Sequence, residues 1–500
     1  MSSNRIHLGA SRCLVLLVAV TVCGLFVGSV EAKDEARALG GSIVKVYVRS
    51  NPPDLLSPWQ RLGLQSSTGS GVIVDGDWIL TSAHVVEDAV SIEVKRSGMS
   101  QPFVAEIDHI GHQCDLALLR VEDQSFFDGA RPIALGDMPQ TQMRVQAYGF
   151  PVGGESISVT SGIISRVEMS TYSHSLENLL LAQVDAALNP GNSGGPILAA
   201  SKIVGIAAQS LDEAENVGYM IPVPVIRHFL NDVDDRSVDG TPRLGAEFQD
   251  LESEVLRRSL GMAEKQTGAL VTWVDYGSAA DGVLRPRDVL MEIDGLAIAN
   301  DTTVPWPRVG RVHFSEVYRS KQVGENVSLR LLRDGKQIDH DIELTQHPML
   351  VPGRRDEDEP QYLVFGGLVF QPLTVEYLMY FEEIPYDLAT YAVMQNVVTP
   401  ERRQLILIQK VLPNAVNRGY QMWEDYIVRT VNGTTPRDMQ HLASILDGVQ
   451  GQFLRIVTEN RSFLTLDLKQ ARAAQSTILR DFGIPHDRSS GLRGNVESSN

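Results

Sequence analysis

Cysteine is scarce: three occur in 500 residues, at Cys13, Cys23 and Cys114. A disulfide framework is therefore excluded, and the core alone must hold the fold. Basic residues are also short, 44 against 62 acidic ones, for a net charge of −18. A chain so acidic has little with which to neutralise phosphates, which excludes a general nucleic-acid binder. A phosphate-cradling glycine loop is absent, so nothing suggests ATP use. Aromatics reach only 6%, while 42 glycines and 24 prolines supply many turns, as in a β-rich protein. Hydrophobic content of 43% and charged content of 21% exclude a fully disordered, collagen-like or polytopic membrane chain. The length suggests roughly three domains.

One long apolar run exists, Cys13 to Val30, preceded by Arg5 and Arg12 and followed by the small-residue site Val30-Glu31-Ala32. That order is a secretory signal peptide over residues 1–32, with a mature N-terminus at Lys33. The competing reading is an uncleaved membrane anchor, since the run is just long enough to span a bilayer. Lipid modification of Cys23 is disfavoured by the bulky Val22 before it. Cleavage would leave Cys114 as the single cysteine of an exported, periplasmic-type protein.

From about Gly41 to Met220 the chain reads as short strands and turns, among them Ile43–Val48, Trp78–Thr81, Leu116–Val121, Ser156–Val167 and Ile203–Ala207. Asp75-Gly76 marks a hairpin turn. The fold class expected is mainly β, an antiparallel barrel or sandwich, with one helical pattern at Pro224–Leu230 closing the unit. Polar Asn231–Pro242 and charged Pro348–Pro360 read as linkers. They divide the mature chain into 33–235, 244–347 and 362–470, with a C-terminal tail over 471–500 that is polar and loose from Pro485. Leu284–Gly295 and Trp423–Gly433 share an acidic residue, an apolar strand and an Asp-Gly or Asn-Gly turn, as in a diverged duplication.

The first unit carries the parts of a serine hydrolase. Gly191-Asn192-Ser193-Gly194-Gly195-Pro196 sets Ser193 among glycines, so the N–H groups of Gly191 and Ser193, with Asn192 between them, converge as an oxyanion hole. His84 follows the apolar strand Trp78–Leu80, where an imidazole can take the serine proton. Asp115 precedes Leu116–Leu119 and can hold the far imidazole nitrogen. The order His, Asp, Ser matches the chymotrypsin type and neither subtilisin nor α/β-hydrolases. His109, His112 and Cys114 lie close in sequence, but on an extended segment their side chains diverge and no fourth ligand stands near, so no metal and no cofactor is expected. Cys114 reads as a small buried apolar residue.

With Thr81–Val85, Cys114–Leu119, Asp185–Pro196 and Gly218–Pro222 in place, the chain resembles the Deg (HtrA) serine proteases over nearly its whole mature length. Pro58-Trp59-Gln60, Ile298–Asp301 and Phe365–Phe370 resemble the plant-type branch. The resemblance implies two six-stranded barrels with the triad between them, two PDZ domains and homo-oligomers built on trimers. In that fold the pocket for the residue before the scissile bond is floored just upstream of the nucleophile. Ala187 and Leu188 there predict cleavage after Val, Ala or similar side chains and not after Lys or Arg, while Asp185 reads as a structural hydrogen-bonder. Gly268, Ala269, Leu270 and Val271 resemble a PDZ loop and strand that capture C-terminal peptides. Arg402–Leu407 in the third unit lacks the glycine, which points to an assembly role. The function expected is ATP-independent degradation of unfolded exported polypeptides. The alternative is a chaperone-like PDZ binding protein whose proteolysis is conditional.

Overall fold

In the computed structural model the described residues are 39–493, apart from 152–153, 211–217, 308–309, 347–348, 354–358 and 394–396. The signal-peptide reading of 1–32 and the charged centre of the second linker lie outside them. Strands β1 (Ile43–Ser50), β2 (Gln65–Val74), β3 (Trp78–Thr81), β4 (Ala89–Arg96), β5 (Phe103–Gly111) and β6 (Leu116–Arg120) close a barrel in the order β1-β2-β3-β6-β5-β4. A second barrel, in the order β10-β11-β12-β9-β8-β7, comprises β7 (Arg144–Gly149), β8 (Ser158–Thr171), β9 (Asn178–Val184), β10 (Pro196–Ala199), β11 (Lys202–Ser210) and β12 (Gly218–Pro222). The β2–β3 hairpin turns at Gly76 and Asp77, both at positive φ. The one strand of the first barrel that apolar pattern alone misses is β5. Its exposed and half-buried positions carry Glu106, Asp108 and His109, so the β signal is diluted.

Helix α1 (Ala83–Val86) follows β3, and α2 (Val223–Asp232) closes the barrels. Val223, Ile226 and Phe229 of α2 are buried at helical spacing. The core under α2 draws residues from both barrels, including Leu116, Leu118, Leu179 and Ile206, and so fixes one barrel against the other.

The second unit is a sheet in the order β13-β14-β15-β19-β20, built from β13 (Ala246–Gln249), β14 (Ala269–Val274), β15 (Val289–Ile293), β19 (Asn326–Arg333) and β20 (Lys336–Glu343). Short β16 (Leu296–Ala297), the hairpin β17 (Thr303–Trp306) and β18 (Gly310–His313), and helices α3 (Glu254–Ser259) and α4 (Ser315–Arg319) complete it. The third unit orders β21 (Leu363–Phe365), β22 (Leu368–Pro372), β23 (Ile406–Val411), β24 (Tyr426–Val431), β25 (Phe453–Thr458) and β26 (Phe463–Asp467) consecutively. With it come α5 (Val375–Met379), α6 (Tyr386–Val393), α7 (Met439–Gly448) and α8 (Leu468–Asp481). The duplication read from sequence falls on β15 and β24, the middle strands of matching five-strand orders. Both strands end in turns at positive φ, Asp294-Gly295 and Asn432-Gly433.

Two expectations are corrected. Strand β14 cannot take a peptide, because its two edges are already paired: Phe248 and Gln249 of β13 lie opposite Val271 and Leu270, and Val289 and Leu290 of β15 opposite Leu270 and Ala269. Gly268 is buried where a Cβ would stand 2.6 Å from the Leu290 carbonyl oxygen, so it serves close strand packing and not a carboxylate loop. The open edge belongs to β13. The described chain from 471 to 493 is not a loose tail either: α8 crosses the boundary at 470, the Asp487 carbonyl accepts a hydrogen bond from Val364 N–H at 2.6 Å, and Leu492 is buried.

Candidate active site

Three connections meet between the barrels. The β3 end and α1 present His84, the β5–β6 turn presents Asp115, and the β9–β10 connection presents Ser193. Asp115 is fully buried at φ 55°, a left-handed conformation that Asp tolerates better than most residues. Its Oδ2 lies 2.8 Å from His84 Nδ1, and its Oδ1 accepts the His84 backbone N–H at 2.9 Å. Tyr172, delivered by the β8–β9 turn of the other barrel, donates its hydroxyl to the same Oδ2. Burial resists ionisation of Asp115, but the charge and hydrogen bond of His84, the charge of His174 and the Tyr172 hydroxyl outweigh it and hold the pKa at about 2. An ionised carboxylate only accepts, so Nδ1 carries the hydrogen and Nε2 is left to take a proton. Burial pulls the His84 pKa down, yet Asp115 beside it and Glu87 further off raise it above the ordinary 6.5.

The nucleophile loop is clamped by its surroundings. Buried Ser70 donates from N to Ser193 O at 2.9 Å and from Oγ to Gly191 O at 2.7 Å, while Phe150 N–H donates to the same Oγ at 2.8 Å. Gly191 has φ 96° and Gly194 φ 80°; a Cβ at Gly194 would collide with Ser70 O and Thr81 Oγ1. Only glycine fits there. Among the described residues neither the Gly191 nor the Ser193 N–H has an acceptor, so both donors remain available to an oxyanion. Asn192 does not join them: its N–H is committed to Asn189 O at 3.0 Å, and its side chain is buried. The Ser193 hydroxyl points to Ala208 O at 3.4 Å and, among the described residues, makes no hydrogen bond to His84, so the side chain must turn before the imidazole can take its proton.

Upstream, Leu188 packs where a Gly218 Cβ would be 2.6 Å from its Cδ1, and half-buried Ala187 accepts a hydrogen bond from Thr160 Oγ1 at 3.0 Å. Asp185 accepts the Ile163 N–H at 2.5 Å, a strand-to-strand role, as expected. Cys114 Sγ lies 3.4 Å from Gly111 O, and burial followed by the Asp115 charge pushes its pKa to about 12, far from thiolate chemistry. His109 turns to Asp108 and Trp78, whereas His112 turns towards His174 and Glu87, so His109, His112 and Cys114 do not form one cluster. Ser70, Tyr172, His174 and Glu87 lie outside the motifs. Glu87 comes with His84, three residues on at the end of α1, whereas the other three reach the site through barrel closure, which no local spacing announces.

The Trypsin-like peptidase domain family matches residues 69–206, and the PDZ domain family matches residues 351–491. Protease Do-like 4, mitochondrial, of Arabidopsis thaliana is 36% identical over 445 residues, 89% of this chain and 84% of that protein. Protease Do-like 2, chloroplastic, of the same organism is 36% identical over 459 residues, covering 90% of this chain and 75% of that protein. Among solved structures, the HtrA-type protease AlgW with decapeptide has a TM-score of 0.48 at 24% identity, covering 63% of this chain and 98% of that one. Two closed barrels followed by PDZ units define a chymotrypsin-like serine endopeptidase. The chain belongs to the Deg/HtrA family of Do-like proteases.

Proposed function

We propose that Ser193, His84 and Asp115 cleave polypeptides by acyl-enzyme chemistry without ATP. The observation that carries this reading is the buried, ionised Asp115 bonded to His84 Nδ1 beside a clamped nucleophile loop. Nε2 of His84 takes the Ser193 proton as Oγ attacks the scissile carbonyl. Asp115 stabilises the imidazolium, and the N–H groups of Gly191 and Ser193 receive the oxyanion. His84 then returns the proton to the leaving amine, and water repeats the cycle on the ester. The apolar surface of Ala187 and Leu188 favours small aliphatic side chains before the cut, since a buried Lys or Arg would find no carboxylate. Substrates are unfolded polypeptides, and C-terminal peptides add to the edge of β13. The chain assembles in multiples of three and works in an organelle or an exported space, reached through its N-terminal segment. No helix among the described residues is long and apolar enough to cross a membrane.

Casein degradation by the purified chain tests the triad. Ser193→Ala lowers the rate by about 10³-fold or more while the fold survives. A residual rate within tenfold of the unaltered chain would sink the assignment and favour the holdase reading. Mass-spectrometric mapping of the cuts checks the pocket, and predominant cleavage after Lys or Arg would refute it.

A further inference from the structure

We propose that Glu87, His112 and His174 form an inhibitory site for a divalent cation of the zinc class. Their donor atoms all lie within 4.8 Å of one another, and the Glu87 Oε2 to His174 Nε2 distance is 3.8 Å. Two imidazoles and one carboxylate are a donor set of tetrahedral zinc. Bonds of about 2.1 Å separate tetrahedral ligands by about 3.4 Å, so closing on an ion needs side-chain rotations of about 1 Å. His112 is buried and set by its turn, while Glu87 and His174 are partly exposed and able to close on it. The fourth position is left to water or a substrate group.

The placement gives this site its purpose. Glu87 is the residue that ends α1, the helix of His84; His112 shares the β5–β6 turn with Asp115; His174 shares the β8–β9 turn with Tyr172. Each ligand is thus tied to one member of the Asp115 network, and together they bridge the two barrels across the cleft. The His174 ring lies 5.8 Å from the His84 ring, and its Nε2 lies 3.9 Å from Asp115 Oδ1. A dication held by His174 Nε2 opposes the positive charge that His84 takes up during catalysis. It also consumes the Glu87 charge that otherwise supports that imidazolium. Proteolysis is therefore held off while the ion is bound, and chelation restores it. This coupling rests on the catalytic roles proposed above; the binding site itself does not.

The test uses the purified full chain, titrated with Co²⁺ and Zn²⁺ salts. One Co²⁺ per chain gives an intense tetrahedral ligand-field band that Zn²⁺ displaces, and Zn²⁺ slows casein cleavage by about tenfold or more, reversed by EDTA. Glu87→Gln, a change at the partly exposed ligand, and His112→Asn each remove the band and the zinc sensitivity of whatever activity remains. Failure of the unaltered chain to show the band, or its persistence in both variants, overturns the site. Stoichiometric binding with unchanged cleavage overturns the coupling. A chain that cleaves nothing when metal-free but shows the band once Co²⁺ is added overturns the triad assignment and leaves the site standing.

Discussion

The second and third units share a strand order yet differ at one edge. In the second, β13 is the outermost strand, preceded by Gly245 at φ 71°. In the third, the corresponding β22 follows Gly366 and Gly367, at φ 57° and 87°, which make the tight turn of the β21–β22 hairpin, and the Gly366 N–H is committed to Gln475 Oε1. What differs is β21: Leu363, Val364 and Phe365 pair with Phe370, Val369 and Leu368, filling the place where a peptide would add. Gln475 of α8 and the chain at Asp487 hold β21 from its far side. The units also dock differently. Arg243, which pairs with Thr345 of the second unit, and Arg319 within it bond to Glu177, on the turn that delivers Tyr172 and His174, and to Asn178 O at the start of β9. The third unit grips the β1–β2 loop instead: Lys410 bonds Leu56 O and Ser57 Oγ and lies over the Trp59 ring, which packs on Tyr362. An exposed strand edge recruits a partner unless the chain supplies its own.

Unseating β21 would remove the difference between the two edges. Val364 is buried at 1% exposure, so Val364→Asp strands a charge and costs about 3–5 kcal/mol of third-unit stability. Where the unit stays folded, the edge of β22 opens and C-terminal peptide stoichiometry rises from one site per chain towards two. Calorimetry and peptide titration read both, and an unchanged melting curve would show that β21 holds nothing. Trp59→Ala cuts the dock next. Losing the packing on Tyr362 and the Lys410 contact lowers stability by about 2–3 kcal/mol, with casein cleavage within about twofold. A large loss of activity would mean that the third unit governs the site.

Ala246→Pro tests the open edge itself. The Gly245 carbonyl is already taken by Asp275 N–H, so by strand alternation the Ala246 N–H faces outward. Proline is tolerated there but denies a peptide its donor, and affinity for C-terminal peptides falls about tenfold or more at nearly constant stability. Fluorescence anisotropy with labelled peptides decides it. Equal binding by the variant would place the peptide elsewhere.

The triad, the barrels and the duplicated middle strands are legible in sequence, because each is carried by local chemistry: glycines around Ser193, a His after an apolar strand, an Asp before one. The peptide edge is not. Gly268 before Ala269–Val271 looks like a PDZ loop locally, and only the pairing of both β14 edges reveals a buried strand. The tail misleads through composition: Pro485–Asn500 is polar, yet Arg488 meets Asp447 through two hydrogen bonds of 2.8 and 2.9 Å, and Ser489 N–H bonds Tyr362 O. Asn192 looks like part of the oxyanion hole until the fold commits its N–H to Asn189. Tyr172 and His174 come from the other barrel, so nothing in their own segment announces their target.

The smallest effect follows from that turn, which the second unit holds. Tyr172 is buried at 1% exposure and shares Asp115 Oδ2 with His84. Tyr172→Phe keeps the packing and removes one donor, so Oδ2 becomes a stronger acceptor for His84 Nδ1–H and the imidazolium is further favoured. Cleavage needs neutral His84, so kcat/KM rises with pH through a value above 6.5 in the unaltered chain. In Tyr172→Phe that limb moves to higher pH, and the plateau falls by about threefold as Asp115 is held less firmly. The stability linkage has the opposite sense for the two partners. The raised His84 contributes stability that is full below its unfolded pKa and fades as pH rises through the folded one. The lowered Asp115 contributes above its unfolded pKa of 3.8 and fades as pH falls towards 2. Losing the hydroxyl weakens the hold on the carboxylate, so acid unfolding of Tyr172→Phe begins at higher pH. A pH–rate profile measured beside an acid melt checks both, and an acid limb that moves down or stays put would remove Tyr172 from the Asp115 network.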